Sequence, residues 1–175
     1  NDDPKCTMIC SIDQSKGICQ WWPSGAWCKP PTKDKTCLEQ TLFKTVTTNN
    51  LLSPMEIANF PSETSLYSFR DNFLSTSVFG SKYINYYYSF NTIGNLLSSN
   101  FTIATQTALK LISYKYLINE LMNPTTNQNV VLITPPIKTD LINYITLLKN
   151  NTSNSNDITM LDDIINDINA MSGLT

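Results

Sequence analysis

The sequence predicts a mostly α-helical protein, a bundle of about five to six helices behind an irregular, disulfide-rich N-terminal segment. Three observations lead there. All five cysteines, Cys6, Cys10, Cys19, Cys28 and Cys37, lie in the first 37 residues, together with all three tryptophans and four of the nine prolines. From residue 38 onward apolar side chains return at steps of three and four, the period of a helix face. A single β-branched run, Val130-Val131-Leu132-Ile133-Thr134, breaks that pattern, and no second strand is evident to pair with it.

Two units follow, 1–37 and 38–175. The first is too short to build a sufficient core, so its stability is expected to come from disulfides. The spacing C-x3-C-x8-C-x8-C-x8-C matches neither a zinc-ribbon knuckle nor a redox C-x-x-C. Clustered cysteines in a loop-rich segment point to an oxidising compartment, hence to a secreted or cell-surface protein. The opening Asn1-Asp2-Asp3-Pro4 reads as the polar start of a mature exported chain. Five is odd, so two internal bridges leave one thiol, buried or available to a second chain, and the pairing stays open.

In the second unit the spacing predicts a helix over 36–47 from Leu38, Leu42 and Val46, then a linker over 49–61. Ser62 is placed to cap a helix carrying Leu66, Phe69, Phe73 and Leu74. Gly80 is expected to end it in a left-handed turn, and Ser81 to cap the next helix, with Ile84, Tyr87, Tyr88 and Ile93 inward. Asn100 or Thr102 starts a long helix to about Met122, stopped by Asn123-Pro124. The run 130–134 is a buried extended connector or an edge offered to another subunit. Helices over 137–149 and from Asn156 or Asp157 onward complete the bundle.

Composition excludes several functions. The chain is 15% charged, against a usual share of roughly 25%, and its net charge is -2, so no phosphate-neutralising nucleic-acid surface is expected. No apolar run reaches the roughly 18 residues needed to span a bilayer. There is no histidine, which removes His-based triads and the histidine zinc motifs. Asp163 and Asp167 share a helix face at i, i+4, where two carboxylates serve acid–base work or a cation, but that face reads as the solvated side of an amphipathic helix. No Ser-x-x-Lys, Gly-x-Ser-x-Gly or glycine-rich phosphate loop occurs. No catalytic residue, metal or cofactor is assigned.

Binding signals are stronger. Trp21, Trp22 and Trp27 stand within seven positions between Cys19 and Cys28. Planar rings on a bridged loop form its small core, anchor a partner protein or stack on a glycan. Sequons place glycosylation candidates at Asn100, Asn150 and Asn151, the last two in a polar loop. Arg70, the chain's only arginine, is suited to cap a helix or pair with a carboxylate, or with Tyr87 to hold an anion.

Residues 66–97 carry Leu66, Phe69-Arg70-Asp71, Leu74, Gly80, Ile84 and Tyr87-Tyr88. This pattern resembles the CFI-box C-terminal domain of exported microbial surface proteins, although the Cys-Phe-Ile run that opens the family has no counterpart here. The resemblance implies a helical module at the cell surface and no agreed chemistry.

The expected function is that of a non-enzymatic extracellular or cell-surface assembly subunit acting through protein subunits, its own or others. Trp21, Trp22, Trp27 and Val130, Val131, Leu132, Ile133 are the expected contacts. The alternative is a secreted binding module whose Trp-rich loop recognises a glycan or a host protein.

Overall fold

Short polar side chains set most of the helix starts. The computed structural model describes residues 38–123 and 133–171, and among these there are nine α-helices and no strand. They are α1 (Leu38–Thr48), α2 (Pro54–Ala58), α3 (Glu63–Ser68), α4 (Val78–Ser89), α5 (Ile93–Ser99), α6 (Phe101–Ser113), α7 (Lys115–Met122), α8 (Pro135–Asn150) and α9 (Ser155–Ala170). A π-helical turn, Phe69–Phe73, and a 3-10 turn, Leu74–Thr76, join α3 to α4.

The mostly α expectation holds, with more and shorter segments than the spacing suggested. The predicted linker contains α2, closed by a capping box in which Ser53 and Glu56 bond each other's backbone N–H. The rod expected over 100–122 divides at Tyr114, whose ring reaches across to Asp140 on α8. Asn100 caps α6 as expected, its Oδ1 accepting from the Ile103 N–H at 3.1 Å. Ser62 likewise caps α3 through the Ser65 N–H.

Two expected caps move. Ser77, not Ser81, starts α4, accepting from the Gly80 N–H at 2.9 Å. Asn154, not Asn156 or Asp157, starts α9, accepting from the Asp157 N–H at 3.0 Å. Gly80 therefore lies inside the first turn of α4 and does not end the preceding helix. Its role is close approach: a Cβ there would stand 2.1 Å from the Leu74 carbonyl oxygen. Among the described non-glycine residues only Asn50, after α1, has a positive φ, 52°.

One apolar cluster holds the bundle. Leu42 and Val46 of α1 meet Ile93 and Leu97 of α5, Ile103, Ala104 and Ala108 of α6, Leu148 of α8 and Leu161 of α9. Ala104 and Ala108, both fully buried, sit at i, i+4 and let a neighbouring helix approach α6 closely. α8 and α9 form an antiparallel hairpin with Lys149–Asp162 at one end (2.6 Å) and Lys138 Nζ donating to the Met171 carbonyl at the other (2.7 Å). The second contact satisfies a carbonyl at the C-terminus of α9, where a cation is favoured.

Candidate functional site

Three features of the α3–α5 region bear on function: an apolar cavity, a polar latch and an exposed apolar pair. The cavity comes from how the π turn positions Arg70. Widening the helix at Phe69–Phe73 stacks the Phe69 and Phe73 rings (centroids 5.2 Å apart) and turns Arg70 inward, where it is only 9% exposed. Its guanidinium donates to both carboxylate oxygens of Asp71, each at 2.7 Å, and to the Tyr88 hydroxyl at 3.0 Å. The bidentate fork of the chain's only arginine is thus filled by the adjacent residue. Tyr87 points elsewhere, its hydroxyl accepting from the Leu38 N–H at 3.0 Å. Arg70 thus pairs with a carboxylate, as one of its expected roles has it, and the phenol beside it is that of Tyr88, whereas Tyr87 does not join it around an anion.

Arg70 and Tyr87 nevertheless border one space. A cavity of about 310 Å³ is walled mostly by aliphatic side chains from α1, α3, α4, α5, α6 and α8, including Leu42, Leu66, Ile84 and Leu111. On one wall Tyr144 donates to Thr107, which in turn donates to the Ile103 carbonyl. Burial pushes the Tyr144 phenol up to about 12.

The latch ties α4 to α9. Lys82 Nζ lies 2.8 Å from Asp163 and 2.6 Å from Asp167. The Tyr86 and Tyr83 hydroxyls donate to those same two carboxylates at 2.7 and 2.6 Å. The ammonium also sits 5.2–5.8 Å from the ring centroids of Phe79, Tyr83 and Tyr86. The bonds to both carboxylates raise the Lys82 pKa, and the Lys82 bond holds Asp163 below its ordinary value. Burial and the Asp167 carboxylate together push the Tyr83 phenol upward. The Asp163–Asp167 face is therefore not the solvated face its spacing suggests; it is a half-buried seam. The signal available in the sequence was the Lys82, Tyr83, Tyr86 series, which presents three polar groups on one side of α4.

Asp157, which the sequence offers only as a cap, is fully buried. It accepts from the Asn91 N–H at 2.9 Å, the Thr92 N–H at 2.8 Å and the Thr92 hydroxyl at 2.5 Å. It joins the first turn of α9 to the α4–α5 junction, where free backbone donors precede a helix.

The remaining expected site residues are dispersed. Asn150 and Asn151 are exposed at the α8–α9 loop, with the Asn151 amide donating to the Leu147 carbonyl. Asn100 is half-buried and engaged as a cap. Ile133 is half-buried in the bend before α8. Cys6, Cys10, Cys19, Cys28, Cys37, Trp21, Trp22, Trp27, Val130, Val131 and Leu132 lie outside the described residues. No cluster of three or more carboxylates or thiols forms among the described residues, and no described helix is long and apolar enough to cross a membrane.

The exposed pair opens α4. Val78 is 91% exposed and Phe79 49% exposed, beside a shallow depression bordered by Ser75, Ser77, Ser81 and Asn85.

No family model matches the chain, and no curated protein or solved structure does. None of these comparisons bears on the CFI-box likeness of residues 66–97. Arg70 bonds Asp71 and Tyr88, Gly80 abuts Leu74, and Leu66, Ile84 and Tyr87 line the cavity.

Proposed function

We propose that the chain is a non-enzymatic subunit, secreted or displayed at a cell surface, that works through protein–protein contacts with its own copies. The observation that carries this reading is the Val78–Phe79 pair. An aliphatic and an aromatic side chain stand together in solvent, with hydroxyl and amide groups around them. An apolar centre with a polar rim is the composition of a contact patch. Asp163 and Asp167, the carboxylate pair best spaced for acid–base work, are engaged by Lys82, Tyr83 and Tyr86. That engagement favours a structural role for them. The odd cysteine count adds a route to a covalent link between chains, and the resemblance of 66–97 to CFI-box segments supports the surface part of the reading.

The test is the mass of the intact chain in solution. Light scattering behind size exclusion, over a hundredfold range of concentration, is expected to show a species heavier than one chain. Val78→Asp combined with Phe79→Ser is expected to return it to one chain with the helical circular dichroism unchanged. A wild-type monomer at every concentration rejects the proposal.

A further inference from the structure

The cavity between α1, α4 and α6 has the features of a ligand site distinct from the exposed pair. Its volume is about 310 Å³, and it is partly open to solvent. It falls at the small end of natural small-molecule sites. Its walls are mostly aliphatic, with Leu42, Leu66, Ile84 and Leu111 prominent, and Glu39 and Tyr67 also border it. Water held against such walls gains few hydrogen bonds and is displaced readily by an apolar chain.

The polar groups at its edge narrow the chemistry. The Arg70 guanidinium is engaged with Asp71 and Tyr88, so the site presents no open fork to an anionic head group. The Thr107 and Tyr144 hydroxyls satisfy each other and the Ile103 carbonyl. Tyr87 differs. Its oxygen accepts from the Leu38 N–H, and its own proton meets no acceptor among the described residues. Both Tyr87 and Leu38 border the cavity, so this donor sits at its margin.

We propose that the cavity binds a small, uncharged, aliphatic molecule carrying one hydrogen-bond acceptor, its chain against the leucine walls and its oxygen on the Tyr87 hydroxyl. The class includes straight-chain ketones, aldehydes and esters.

The experiment titrates the intact chain with methyl ketones from hexanone to dodecanone, and with decane, by calorimetry. Affinity is expected to rise about fourfold per methylene until the cavity is full and then level off. Leu111→Trp, which fills the space, is expected to abolish binding, and Leu66→Trp fills it from another wall should the first variant lose its helical dichroism. Tyr87→Phe is expected to weaken decanone about tenfold and leave decane unchanged. Absence of saturable binding by the wild type overturns the proposal, as does binding that survives both filling variants. An equal loss of decanone and decane in Tyr87→Phe overturns the assignment of the acceptor. Binding that appears only after Trp21, Trp22 and Trp27 are changed to Ala also overturns it, because the chain's own indoles would then be the occupant.

Discussion

The two ends of the α4–α9 contact use the same residue type in opposite settings. At the start of α9, Asp157 is shut away from water and holds two backbone N–H groups and a hydroxyl. Farther along the same helix, Asp163 and Asp167 meet a lysine and two tyrosines with their side chains 38% and 20% exposed. The latch has the more conspicuous charges, but water and salt compete for each of them. The buried carboxylate has no such competitor, so its removal takes the acceptor from two backbone N–H groups at once. The number of charges at a contact is therefore a poor guide to how much it holds.

The largest effect is expected at the buried end. Asp157→Ala leaves the Asn91 and Thr92 N–H groups without their acceptor and should cost about 3–5 kcal/mol in urea unfolding. A loss no larger than that of a latch variant would show that the buried carboxylate holds no more than Asp163 and Asp167 do. Next comes the entry to α4, the helix both ends hold. Gly80→Ala drives a methyl into the Leu74 carbonyl and should cost about 2–3 kcal/mol by the same measurement.

Alkaline pH then probes the latch and the cavity wall together. The phenols of Tyr83, Tyr86 and Tyr144 titrate higher folded than their ordinary value of about 10. Each therefore adds stability that is complete below pH 10 and is lost as pH rises through its folded value, about 12 for Tyr144. Denaturation midpoints should fall above pH 10, and tyrosinate absorbance should rise late in the native protein.

The smallest effect belongs to the lysine. Lys82→Met should lower the melting temperature by roughly 2 °C or less, with most of that difference gone at high salt. On the acid side, Asp163 titrates below its ordinary value. Its contribution is therefore present above about pH 4 and is lost as pH falls through the lower folded value.

Much of the framework could be read from local spacing. Leu42 and Val46, Ala104 and Ala108, and Leu161 and Ile168 are buried on the faces that their three- and four-residue steps define. Ser62 and Asn100 cap helices because a cap is a contact three residues away. The site was less legible. Arg70 was visible as singular, but its choice of Tyr88 over Tyr87 depends on a π turn that opens after Ser68. Asp163 and Asp167 looked solvated because their partners stand on another helix, 77–85 residues away. Gly80 invited a turn because the approach of the Leu74 carbonyl is not written near it in any residue pattern.

The helical class, the apolar faces and most caps follow from local sequence, since each depends on residues within about one turn of one another. That Tyr87 holds the Leu38 N–H across 49 residues, and that Asp157 is sealed against Thr92 across 65, comes from packing. Those choices depend on which helix faces exclude water from which side chain, and exclusion is a property of the packed whole.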